Sequence, residues 1–74
     1  MSNICQKIGL KIKLERSKRK ISQEKLAELA NVNKNTIYTI EAGTSVPSIV
    51  TLEKIALAFG IPLPDLVDTA KFEL

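Results

Sequence analysis

An all-α domain of five short helices is the fold class this sequence predicts, and three observations predict it. Turn and capping residues at Ser22, Asn31 to Asn33, Gly43 to Ser48 and Gly60 to Pro64 divide the 74 residues into stretches of about 8 to 14. Apolar residues recur at spacings of three and four, most regularly at Ile49, Leu52, Ile55, Ala56 and Phe59. Ser22, Asn33 and Ser48 each stand where a side-chain oxygen can cap a helix start. No repeat or linker interrupts the chain, so residues 1–74 read as one domain, with a core over about 6–68 and a C-terminal tail over 69–74.

The first stretch is ambiguous by pattern, because Ile8, Leu10, Ile12 and Leu14 alternate with period two, as a strand would. Its length and flanks favour a helix. Ile4, Ile8 and Ile12 then share one face, while Leu10 and Leu14 form a second stripe on roughly the opposite side. The second helix starts at Ser22, with Glu24 at the positive end of its dipole and Leu26, Ala27, Leu29 and Ala30 supplying the buried side. Asn31 tolerates the left-handed conformation of a sharp reversal, and Val32 fills the gap between helices. A third helix runs from Asn33 to about Ala42, with Ile37 and Ile40 inward and Gly43 placed to end it. Ser48 and Gly60 bound the fourth helix, and Leu66 and Val67 suggest a short fifth with Asp65 in its first turn.

Composition narrows the function classes. With 45% apolar and 26% charged residues the chain is an ordinary globular mixture, though 74 residues make only a marginal core, and a symmetric partner is the natural support. The net charge of +3 hides a division: residues 1–20 carry seven basic side chains against Glu15, whereas residues 21–74 carry four against seven acids. A basic first helix could hold a polyanion, or simply be a solvated face. The single Cys5 and the absence of histidine leave no zinc set and no acid, base or nucleophile constellation, so neither a metal, a cofactor nor an enzyme is expected. The longest apolar stretch, Ile55 to Leu63, is broken by Gly60 and Pro62, and the start is no signal peptide. A cytoplasmic protein without membrane contact is the expectation.

The chemistry-bearing segment is Ser22-Gln23-Glu24-Lys25-Leu26-Ala27, then Val32-Asn33-Lys34-Asn35-Thr36-Ile37, then Ile40-Glu41-Ala42-Gly43 and Pro47-Ser48 before Leu52. Two short helices joined by so brief a turn can cross steeply, leaving the second free to enter a major groove about 12 Å wide. Its outward residues are small and polar. Tyr38, Thr44 and Ser45 can bond phosphate oxygens, although Tyr38 could equally be a partly buried core aromatic. The helix starts around Ser22 and Asn33 add amide donors toward phosphate.

From about Ile8 to Val67 these elements, with Arg16 upstream, resemble the Cro- and phage-repressor-like helix-turn-helix regulators, the XRE family. The resemblance implies a compact lambda-repressor-like domain that binds double-stranded DNA. It implies base contacts from Lys34, Asn35, Thr36 and Thr39, whose chemistry suits guanine, adenine and the thymine methyl. Gln23 takes a phosphate contact and holds the first recognition side chain, and Arg16 and Glu41 form a partly buried ion pair between the first and third helices.

Three departures stand out. Lys20 replaces the usual glycine, so the first helix must end on a strained residue or continue differently; Pro62 replaces a polar cap; and Leu14 replaces a charged residue. The Leu10 and Leu14 stripe is covered either by N-terminal residues, by the last helix, or by another molecule. Since many family members dimerise through their last helix, the candidates for a homodimer contact are Leu10, Leu14, Leu66, Val67, Phe72 and Leu74. The functional expectation is a dimeric transcriptional repressor reading an inverted repeat. The alternative is an antitoxin or restriction-modification controller whose role depends on a protein partner such as a toxin or polymerase.

Overall fold

Residues 3–68 are described by the computed structural model. They form α1 (Ile4–Lys18), α2 (Gln23–Ala30), α3 (Lys34–Glu41), α4 (Ile49–Phe59) and α5 (Leu63–Leu66), with no strand among the described residues. The alternating apolar pattern at the start is therefore helical. Its start is fixed by a capping box the sequence reading passed over: Asn3 Oδ1 accepts from the Gln6 amide at 2.9 Å, and Gln6 Oε1 accepts from the Asn3 amide at 3.1 Å.

The expected caps form. Ser22 Oγ accepts from the Lys25 amide and Ser48 Oγ from the Thr51 amide. The reversals fall at Lys20 (φ 56°), Asn31 (φ 57°), Gly43 (φ 74°) and Gly60 (φ 73°). Lys20 does close the first helix in the left-handed region, at a steric cost a glycine would not carry. Pro62 precedes α5 with no side-chain cap, and Pro64 sits inside its first turn, where a missing N–H is tolerated.

Ile12, Leu26, Ile37, Ile40, Ile55 and Leu66 are fully buried at the centre, ringed by Ile8, Leu52, Ala56 and Phe59. α1 and α2 both pack on α3, α2 also on α4, and α5 closes the base against α4 and α1. Gly9 permits the closest approach, because a Cβ there would overlap the Ile40 carbonyl oxygen at the end of α3. Four apolar expectations need correction. Ile4 lies exposed in the first turn of α1. Leu29 is exposed because Leu26, Ala27 and Ala30 form the buried arc of α2, and Leu29 points about 110° from its centre. Ile49, at the edge of α4's buried arc, is also exposed. Leu66, expected at a partner contact, is wholly enclosed in the core, and Val67 is half-buried against it. Leu10 and Leu14 remain exposed, while Phe72 and Leu74 lie outside the described residues.

The far end of α1 is stapled through a buried acid. Glu15 accepts from Arg19 at 2.8 Å, Lys11 at 3.0 Å and Lys18 at 3.1 Å. Arg19 also donates to the Phe59 carbonyl at 2.9 Å and stacks 4.7 Å from the Phe59 ring centroid, tying α1 to the end of α4. The Arg19 hydrogen bond, helped by the two lysines and opposed by burial, holds the Glu15 carboxyl down from 4.5 to about 2. A depressed acid stabilises the fold above its unfolded pKa and loses that contribution as pH falls toward its folded one. Urea denaturation at stepped pH should show stability on the order of 3 kcal/mol lost between about pH 5 and pH 2. Glu15→Gln should remove most of that slope; a variant with the wild-type acid profile would place the effect elsewhere.

Candidate nucleic-acid interface

The interface is built from the reversal between α2 and α3. Asn31, left-handed, donates to the Ala27 and Glu28 carbonyls, and the Val32 amide donates to Ala27 at 3.0 Å, so α2 ends sharply. Val32 tucks against the core as expected. Asn33 Oδ1 then accepts from the Asn35 amide at 2.7 Å and starts α3. Ile37 and Ile40 bury one face of that helix completely, which fixes its rotation.

The opposite face carries the expected readers. Lys34 and Asn35 are exposed, and Thr36 and Thr39 are half-buried beside them. The Lys34 ammonium lies 3.4 Å from Glu24 across an exposed pair, a contact weak enough for a phosphate or base to displace. Thr39 donates its hydroxyl to the Thr36 carbonyl at 3.2 Å. Tyr38 is 59% exposed, which removes the core alternative and leaves its hydroxyl available.

The expected phosphate contacts divide by donor chemistry, since a phosphate needs N–H or O–H. Ser22 and Asn33 accept cap bonds through oxygen and keep their hydroxyl and amide hydrogens. Thr44 does not: its amide (3.1 Å) and its hydroxyl (3.2 Å) both donate to the Thr39 carbonyl, so it closes α3 instead. Ser45 is half-buried in the loop that follows.

Behind this face lies the ion pair. Arg16 Nε donates to Glu41 Oε2 at 2.8 Å and Arg16 Nη2 to Glu41 Oε1 at 3.0 Å, a two-pronged contact with side chains only 16% and 4% exposed. Hydrogen bonding to Glu41 raises the Arg16 pKa further, against the opposing effect of burial. The third guanidinium nitrogen donates to the Ile21 carbonyl at 2.9 Å. Gln23 Nε2 donates to Glu41 Oε1 at 3.0 Å, so it anchors the acid, while its amide oxygen and second amide hydrogen stay open to other partners. Lys13, Gln23 and Tyr38 line one hollow above this pair. Lys13 is the residue that sequence reasoning missed. Its signal was the three-residue spacing to Arg16, which puts both on one side of α1.

The helix-turn-helix family matches this sequence over residues 10–66. The chain belongs to that family. The all-α DNA-binding domain expected from the sequence is the one found. Among relatives, the cryptic phage CTXphi transcriptional repressor RstR of Vibrio cholerae is 38% identical over 82% of this chain and 55% of its own. The chain thus spans about half that repressor's length. The control protein C.BamHI of Bacillus amyloliquefaciens is 40% identical over 90% of this chain and 84% of its own. Of solved structures, the restriction-modification controller protein C.AhdI of Aeromonas hydrophila superposes with a TM-score of 0.82 at 29% identity, covering 84% of this chain and 94% of that one. These relatives are regulators. Among the described residues no helix is long and apolar enough to cross a membrane.

Replacing Glu41 by alanine strands a buried guanidinium and releases Gln23 together. The expected cost is roughly 3 to 5 kcal/mol, read as a large drop in the thermal midpoint, with a smaller change in the ratio of specific to random DNA binding among molecules still folded. An unaltered midpoint would mean that the pair carries no structural role.

Proposed function

We propose that this helix-turn-helix acts as a dimeric transcriptional repressor that reads an inverted repeat through the major groove. The observation that carries this reading is the division of α3, whose Ile37 and Ile40 are locked into the core while Lys34 and Asn35 stand exposed on the other side. Lys34 donates to guanine O6 and N7, Asn35 pairs with adenine N6 and N7, and the Thr36 and Thr39 methyls meet thymine. Ser22, Gln23, Asn33, Tyr38 and Ser45 hold phosphates and set the register, joined by Lys13. The likeness to a phage repressor supports repression.

A second reading is a restriction-modification controller, favoured by the match to the control protein C.BamHI over 84% of its length and to the restriction-modification controller C.AhdI over 94% of its own. Both readings use the same surface, and gene neighbourhood separates them. An antitoxin role would instead require a toxin as partner.

Fluorescence anisotropy against tiled fragments of the chain's own upstream region, across a salt series, tests the shared core of these readings. One fragment containing an inverted repeat should bind about 10³-fold or more tighter than scrambled DNA. Asn35→Ala should cost about 1 to 3 kcal/mol and relax preference at one base position. Lys13→Ala should weaken all fragments alike and reduce the salt slope by about 0.9, one phosphate's share. Equal binding to every fragment, or a preference untouched by both Lys34→Ala and Asn35→Ala, would overturn the assignment of α3 as the reading helix.

A further inference from the structure

The acids of α2 and α3 have three different fates. Glu41 is buried under the bonds it takes from Arg16 and Gln23, and Glu28 pairs with Lys25 of its own helix at 3.1 Å. Glu24 instead reaches from the first turn of α2 to the first residue of α3. Its carboxylate stands 3.4 Å from the Lys34 ammonium, with the two side chains 74% and 60% exposed. Both border an open hollow between the two helix starts, with Ser22 at its edge. A pair so exposed adds little to folding. It does, however, set a negative charge beside Ser22 and Gln23, the residues assigned to phosphates, and against the ammonium assigned to a base.

We infer that Glu24 is a specificity-determining residue, which leaves Lys34 free to bind guanine while opposing its capture by phosphate. This rests on the reading of α3 as the recognition helix and names the acid that tunes it. At 3.4 Å the contact is an attraction between charges more than a hydrogen bond, so the ammonium keeps its three N–H donors for other acceptors. Two of them can meet O6 and N7 of a guanine while the carboxylate stays in place, because that edge is neutral and gives Glu24 nothing to repel. A phosphate makes the opposite demand. It brings a full negative charge to the same ammonium, and a carboxylate a few ångströms away either repels it or has to swing aside. Without its acid, Lys34 is a point charge on a flexible stem, able to follow whichever phosphate lies nearest. Beside Glu24 the pair carries no net charge, so attraction to the DNA backbone is offset while the hydrogen-bond donors remain. Discrimination then comes from penalising the wrong partner, with no tighter grip on the right one.

Anisotropy titrations of the whole chain on the inverted-repeat fragment and on scrambled DNA, across a salt series, are the test, with circular dichroism melting as the control for folding. Glu24→Gln keeps the side chain's length and removes its charge. It should tighten binding to scrambled DNA about tenfold but to the repeat by no more than about threefold, so that the specificity ratio falls. The salt slope on scrambled DNA should steepen by about 0.9, one further phosphate's share. Glu28→Gln removes an equally exposed acid from the same helix and should leave the ratio unchanged. In a Lys34→Ala background Glu24→Gln should shift both DNAs alike, since no reader remains to be redirected. Equal tightening on both DNAs by Glu24→Gln alone would overturn the role of Glu24 and leave the recognition helix standing. So would a fall in the ratio that persists without Lys34, or one that Glu28→Gln reproduces. A wild type with no preferred fragment would instead remove the reading of α3 itself.

Discussion

The direction in which α3 points hangs on one buried carboxylate. Glu41, the last residue of that helix, takes two bonds from Arg16 on α1 and a third from Gln23 on α2, so a single acid joins all three helices. Such a pair adds little net stability over an apolar replacement, because burying both charges forfeits their hydration. What it supplies is direction. A planar guanidinium fork and a carboxylate bond well only when coplanar, so α3 cannot turn about its axis or slide along α1 without losing a bond. The third nitrogen of Arg16 holds the Ile21 carbonyl just beyond the strained Lys20, and the same side chain thereby sets where α2 begins.

The charge of α1 takes on a different meaning in this light. Seven basic residues in the first twenty suggest a surface for polyanions, yet Arg16 belongs to Glu41, while Lys11, Lys18 and Arg19 converge on Glu15. Much of the basic charge is therefore internal wiring that fastens the C-terminal end of α1, to α3 through Arg16 and to α4 through Arg19 and Phe59. Gly9 makes the same point sterically, since only a residue without Cβ lets α1 lie against the end of α3. The groups left for DNA are fewer and more localised than the composition implies.

α3 and α4 are both amphipathic around one core, but they turn opposite chemistry outward. α3 shows amides, hydroxyls and an ammonium, which lose little by staying wet. α4 shows Ile49, Val50 and Leu57, which gain by leaving water. In a domain this small, whose core alone is marginal, an apolar outer helix is both a liability and a means of gaining further burial.

Sequence alone determined the local structure: five helices, their caps at Ser22, Asn33 and Ser48, the reversals at Asn31, Gly43 and Gly60, and the polar outer face of α3; for Lys20 it left two outcomes, and the structure took the left-handed one. These follow from propensity, capping and 3.6-residue spacing, which act over a few neighbouring residues. The Arg16 and Glu41 pair came instead from the family resemblance, which covers nearly the whole chain. Only the tertiary structure decided the rest. It enclosed Leu66, expected at a contact surface, and exposed Leu29 and Ile49, expected inside. It gave Gln23 to Glu41, turned both donors of Thr44 onto Thr39, and made Glu15 the buried centre of three cations. Periodicity tells which side of a helix is apolar, but how wide an arc is covered, and which polar atoms find each other across eighteen or forty residues, depends on where the other helices come to rest.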